Sequence, residues 1–286
     1  MPIALDRSQL AFQKTERALL KLSSGQTAES VHGFRTATLR LETLLEQLLP
    51  GHDRNQKKLL KMLNRIRRRA GKVRDLDVQL AALRSLKVPQ EPRRKTQLMH
   101  RLIELRAKHE KKLRKLLTKT AIRELRKRLK RGAKEVRPET SREALTVARA
   151  MLNEVVRPAG PVSEEVLHRY RTIVKRARYA AEFGPKSAET TQFINQVKRL
   201  QDAVGNWHDW LLLTEAAAKR LGDVNQSSLV AVLHNLTGSK FRYAVAAISA
   251  SPTTGPVVKP VPVSAEQSRK VSTKSPTLVE RIESAA

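Results

Sequence analysis

Apolar residues recur along this chain at intervals of three and four, in stretches dominated by Leu, Ala, Arg, Lys and Glu. That spacing is the helical period, and little period-two alternation appears before the C-terminal tail. The pattern predicts helices at about 6–23, 27–49, 54–70, 75–87, 92–134 with a possible break near Thr118–Thr120, 140–156, 163–183, 187–204, 209–221 and 225–249. Ser163 ahead of Glu164 and Glu165 reads as a hydroxyl cap followed by first-turn acids, and Thr27 with Glu29 is a weaker version. Leu49-Pro50-Gly51 and Phe183-Gly184-Pro185 read as helix stops. Residues 251–286 hold five of the 13 prolines and no aromatic residue, and they read as a disordered tail with no assigned function. The reading is an all-α domain over residues 1–250.

Charge sharpens this picture. The chain has 57 Lys plus Arg against 27 Asp plus Glu, formally +30. Self-repulsion on that scale strains a compact state, and an anionic partner relieves it. Hydrophobic residues, at 40%, suffice for a sizeable core, and the absence of cysteine excludes disulfides and thiolate metal sites. The start, MPIALDRSQLAFQKTER, meets Asp6 and Arg7 before any apolar run, and no segment has 18 consecutive apolar residues. A cytoplasmic protein without a membrane span is expected. A mitochondrial or plastid form stays open, although such presequences avoid acidic residues.

The chain also repeats itself. Val31-His32-Gly33-Phe34-Arg35 matches Leu167-His168-Arg169-Tyr170-Arg171 at an offset of 136, which also pairs Arg40 with Arg176 and Glu46 with Glu182. A second match, at an offset of 134, sets Leu63-Asn64-Arg65 through Gly71-Lys72-Val73-Arg74-Asp75 beside Val197-Lys198-Arg199 through Gly205-Asn206-Trp207-His208-Asp209. Two blocks at nearly one offset imply two similar helical units, about 5–135 and 140–250, packed with approximate two-fold symmetry. In the second unit His168, Arg171, Lys175, Arg178 and Tyr179 share one stripe of a helix. Like charges at this spacing repel, so the stripe destabilises the helix unless an anion covers it. The same stripe in the first unit is His32, Arg35, Leu39 and Glu42, with two cations fewer.

Plainer readings compete with these. A basic helix face is usually solvated, and a lone helical His is more often a hydrogen-bonded core residue than a ligand. Neither explains why His, Arg three on and Arg eight on should recur in order. Gly71 and Gly205 read as helix ends in the left-handed conformation, with Asp75 and Asp209 capping the next helices and Lys72 and Arg74 left to touch a ligand. Trp207 and Trp210 read as core residues. The stretch 101–131 carries 14 Lys or Arg against three Glu, an amphipathic helix or pair of helices with a dense cationic face.

These blocks resemble the conserved-histidine α-helical domain, the CHAD family. The residues that carry the resemblance are His32-Gly33-Phe34-Arg35 with Arg40, Gly71 through Val78, His168-Arg169-Tyr170-Arg171, Lys175 through Glu182 and Leu200 through Asp209, across roughly residues 5–250. The resemblance implies a pair of four-helix bundles related by a pseudo-two-fold axis. It also implies a central basic channel or groove that binds inorganic polyphosphate, with association to polyphosphate or polyhydroxyalkanoate granules in some members. Leu39 and Glu42 stand where the family usually has basic residues.

Polyphosphate carries about one charge per phosphate and no bases, so regularly placed cations suffice to read it, Arg as a bidentate fork and Lys as a point charge. The residues expected to bind it are His32, Arg35, Arg40, Arg65, Lys72, Arg74, His168, Arg171, Lys175, Arg176, Arg178, Tyr179, Lys198 and Arg199, with protonated histidines adding charge. The second unit is expected to contribute more than the first, and the 101–131 stretch to extend the field. RNA or DNA is the alternative partner, with the same electrostatic footprint but few aromatics for stacking, at 3% of residues. A metal-dependent phosphohydrolase is a third reading, weakened because no His pair at i, i+4 stands with a Glu. No catalytic residue, metal or cofactor is expected.

Overall fold

A computed structural model describes residues 5–49, 53–88, 90–136, 142–154 and 162–250, and the regular structure among them is entirely helical. The helices are α1 (Leu5–Ser24), α2 (Ala28–Thr43), α3 (Arg54–Ser85), α4 (Pro92–Arg114), α5 (Lys119–Glu135), α6 (Ala144–Asn153), α7 (Glu164–Ala181), α8 (Ala188–Leu221) and α9 (Ser228–Ser249). A π-turn, Leu44–Leu48, closes α2. The segment 251–286, read above as a disordered tail, lies outside the described residues, as does Pro50.

The expected caps form. Thr27 accepts from Ser30 N at 3.1 Å and Ser163 from Val166 N at 3.3 Å. The break in the long basic stretch falls between Arg114 and Lys119, and Thr118 caps α5 through Ala121 N at 3.2 Å. Asp53 caps α3 through Gln56 N at 2.6 Å, a signal the sequence reading passed over.

Two expected breaks are absent. Residues 54–70 and 75–87 belong to one helix, α3, and 187–204 and 209–221 to another, α8. Gly71 and Gly205 sit inside these helices, and among the described glycines only Gly222 has a positive φ. Asp75 and Asp209 are therefore mid-helix residues rather than caps. A mid-helix glycine costs about 1 kcal/mol relative to alanine. Fully buried Leu59, Leu63 and Leu83 on α3 each return about 1.5–3 kcal/mol, so packing carries the helix through.

Two apolar clusters hold the helices. The larger gathers α1, α2, α5, α6, α7, the first parts of α3 and α8 and the end of α9, around Phe12, Phe34, Tyr170 and Trp207. The smaller joins the far ends of α3 and α8 to α4 and α9, through Leu76, Leu83, Leu102, Leu213 and Leu233. Trp207 is fully buried in the first, and Trp210 packs against the second.

The helix starts keep the spacing of the repeated sequence blocks. α2 and α7 start 136 residues apart, α3 and α8 start 134 apart, and α4 and α9 start 136 apart. Arg40 bridges Glu182 at 2.7 Å, while Arg176 reaches Glu46 at 3.8 Å and Glu42 at 3.5 Å. Arg40 and Arg176 are equivalents, as are Glu46 and Glu182. Each helix thus lends an arginine to a glutamate at the end of the other. α5 has no equivalent among the described residues, where five α-helices precede position 137 and four follow it.

Candidate anion-binding groove

Four helices close a ring: α2 packs on α3 and on α7, and α8 packs on the same two. A groove of about 370 Å³ lies between them. α2 supplies His32, Arg35, Thr36 and Leu39, and α7 supplies Arg171, Lys175 and Tyr179. From α3 come Arg67, Arg74, Asp75 and Val78, and from α8 Gln201, Asp202, Gly205, Asn206 and Asp209. On each long helix these positions recur at four-, seven- and eight-residue intervals, one face of an α-helix. They fall where α3 and α8 pass from the larger apolar cluster to the smaller, the stretch where a polar face can open.

Gly71 shows how Arg35 enters. A methyl group on Gly71 would overlap Arg35 Nη1, so the guanidinium of α2 crosses α3 over the one residue that leaves room for it. A Cβ on Gly205 would meet nothing within 4 Å, which leaves the opposite wall open.

The electrostatics are those of crowded cations. Burial pushes the Arg35 guanidinium below its ordinary range, opposed by Asp75 and reinforced by Arg171, Arg67 and Arg74. Arg171 is lowered for the same leading reason, against the pull of Asp209 and Asp75. Lys175 falls to about 8, through burial first and Arg171 next. Burial raises Asp209, although Arg171, Lys175 and Arg74 favour its charge. Among the described residues Arg67 is the one groove cation in an ion pair, 3.0 Å from buried Glu42. The Nε of Arg171 and the Oε1 of Gln201 are buried without a hydrogen-bond partner among those residues. Five cations thus face three carboxylates.

Of the residues expected from sequence, His32, Arg35, Arg74, Arg171, Lys175 and Tyr179 come together here. The others lie elsewhere. Arg40 and Arg176 are engaged in the α2–α7 bridges. Arg178 pairs with Glu182 at 3.2 Å, and both Arg178 and Arg40 lie on the Tyr179 ring. His168 stacks 5.1 Å from Trp207 and 5.0 Å from His208, beyond the groove lining. Arg65, Lys72, Lys198 and Arg199 are exposed outside it. No residue of 101–131 lines it; Lys108 and Lys112 surround His109 together with Lys72 and Arg69, on another face of α3. Burial, then Arg74, Arg35 and Lys175, oppose the charge that protonation would give His32. The first unit is not the poorer one here, since it supplies Arg35, Arg67 and Arg74 to the second unit's Arg171 and Lys175. Glu42, which seemed a loss of charge, anchors Arg67 beside the groove. Arg67 itself went unread, although its place seven residues before Arg74 puts both on one face.

Lys175 gives a pH-dependent test. Its charged form is disfavoured in the folded chain, so its cost is fully present below about pH 8 and fades as pH rises toward the unfolded value near 10.5. Lys175→Met is predicted to stabilise the free protein by about 1–3 kcal/mol at pH 7. The gain in thermal midpoint over the unchanged chain should shrink steadily between pH 8 and pH 10.5, as followed by circular dichroism.

The comparisons with known proteins agree with this architecture. The CHAD domain profile matches residues 4–218. Among solved structures, PptA from Streptomyces chartreusis is similar with a TM-score of 0.64 and 17% identity, covering 88% of this chain and 99% of that one. The CHAD domain of the plant Ricinus communis is similar with a TM-score of 0.59 and 16% identity, covering 88% of this chain and 90% of that one. Nothing among curated proteins matches. With three-quarters of its length inside the profile and the helices arranged as described, the chain belongs to the CHAD domain family.

Proposed function

We propose that this protein binds inorganic polyphosphate in the groove between α2, α3, α7 and α8, without turning it over. The observation that carries the reading is the convergence of Arg35, Arg74, Arg171 and Lys175 from three helices onto one cavity with no carboxylate in an ion pair to any of them among the described residues. A buried cation without a partner is costly, and a phosphate chain supplies acceptors for several at once. The family is one associated with polyphosphate binding, which supports the same choice. Attachment to polyphosphate granules follows from the same contacts. RNA would be drawn to the +30 charge, but no Phe or Trp among the described residues lines the groove, and its one phenol ring, Tyr179, is buried beneath two guanidinium groups. Among the described residues no three of His, Cys, Asp and Glu are grouped as a metal site requires, so the proposal includes no hydrolytic step. No helix among those residues is long and apolar enough to cross a membrane.

Two charge-matched variants test this. One removes Arg35, Arg171 and Lys175; the other removes Arg65, Lys198 and Arg199. Desolvated charge-assisted contacts are worth about 1.5–3 kcal/mol each, so the groove variant should lose polyphosphate affinity by about 100-fold or more at fixed ionic strength. The exposed set should lose only a few-fold. Equal losses would mean that net charge, not the groove, holds the polymer. Affinity of the unchanged chain should fall steeply with salt.

Incubation of the pure protein with polyphosphate or nucleoside triphosphates and Mg²⁺ or Mn²⁺ is expected to release no phosphate. Release that disappears with Lys175→Met would refute the non-catalytic reading.

A further inference from the structure

A second, larger cavity of about 850 Å³ adjoins the groove and shares His32 and Thr36 with it. It lies between α1, α2 and the turn from α7 into α8. Its character differs. Leu10, Ala37, Phe183 and Ile194 give it apolar walls, and Leu10 is one of the few large apolar side chains exposed on this molecule, at 38%. Of its four Lys and Arg residues, Lys14 and Lys186 are exposed and the other two are engaged. Arg40 is committed to Glu182, and Arg7 Nη1 donates to the Phe183 carbonyl at 3.4 Å, which holds its planar guanidinium at the cleft. Hydroxyls of Thr36 and Thr191 also line it.

A bare phosphate chain leaves these apolar walls unmatched, because its oxygens lose water against carbon and gain nothing from it. The cleft suits a body with apolar faces and a few polar edges. The groove beside it suits phosphates. The two share one wall, built from successive turns of α2.

We propose that the two compartments together form a site for a nucleoside polyphosphate, with the phosphates among Arg35, Arg171 and Lys175 and the nucleoside in the cleft beyond His32 and Thr36. Arg7 and His32 offer flat cationic and aromatic surfaces to a base, and the threonine hydroxyls offer partners to a ribose. The inference rests on the anion-binding reading of the groove and adds an organic body to its ligand.

The test compares ATP with tripolyphosphate, both without divalent metal, by calorimetric titration of the full chain at one ionic strength. The two ligands have the same three-phosphate chain, and ATP has one acidic oxygen fewer. A groove acting by charge alone must bind tripolyphosphate as tightly as ATP or more tightly. The proposal predicts ATP to bind about five-fold or more tightly. Gly33 lines the cleft, and a Cβ there would meet nothing within 4 Å, so Gly33→Leu adds apolar bulk at the cleft from a position with free space at its first carbon. Gly33→Leu should erase the advantage of ATP and leave tripolyphosphate affinity unchanged. If ATP binds no better than tripolyphosphate, or if its advantage survives Gly33→Leu, the nucleoside site is wrong while the anion groove stands. If neither ligand binds, the groove reading fails with it.

Discussion

The molecule is organised around an electrostatic conflict. Arg35, Arg67, Arg74, Arg171 and Lys175 line one ring of helices, where burial disfavours the charge of Arg35, Arg171 and Lys175 and neighbouring cations add to that for Arg35 and Lys175. Asp75 and Asp209 relieve part of this, yet burial raises Asp209 as well. Such crowding costs stability, and on the proposed reading a ligand with spread negative charge offsets it.

The surrounding fold is what makes the conflict sustainable. The larger apolar cluster clamps α2, α7 and the first parts of α3 and α8, and the smaller one clamps their far ends to α4 and α9. The cations sit between two anchored regions and cannot escape by separating the helices. Across the ring, Arg40 with Glu182 and Arg176 with Glu42 and Glu46 tie α2 to α7. The same kind of residue therefore serves two purposes on one helix. Arg35 faces the groove, and Arg40, five residues on and about 140° around the helix, holds the partner helix in place.

Much of this was legible before the structure. The three- and four-residue spacing gave the helices, the hydroxyl caps gave several of their starts, and the offset of about 135 gave the matching of α2 with α7 and of α3 with α8. Of the five cations lining the groove, Arg35, Arg74 and Arg171 stood in the repeated blocks. What sequence could not separate was the use of a glycine or an aspartate. Gly71 has the residue type of a helix end, and the reason it is instead a crossing point, Arg35, lies 36 positions away in the chain. Asp75 and Asp209 have the type of caps, and only the continuity of α3 and α8 turns them toward the groove. Arg40, Arg176 and Arg178 matched the family blocks as well as Arg35 did, because a motif records residue types and not which carboxylate each one meets. The basic density of 101–131 was visible, but nothing local revealed that its side chains would turn away from the site.

The central claim is that a polyanion binds against a lysine whose charge burial in the groove disfavours. Long-chain polyphosphate, whose chain interior does not titrate, should therefore bring a proton with it when it binds above pH 8. Calorimetric titration at pH 9 in two buffers of different ionisation enthalpy counts that proton. Lys175, with its value near 8, is mostly neutral there, so roughly 0.5–0.9 proton should be taken up per site by the unchanged chain and close to none by Lys175→Met. Binding with no proton uptake, or with the same uptake in both proteins, would contradict the account.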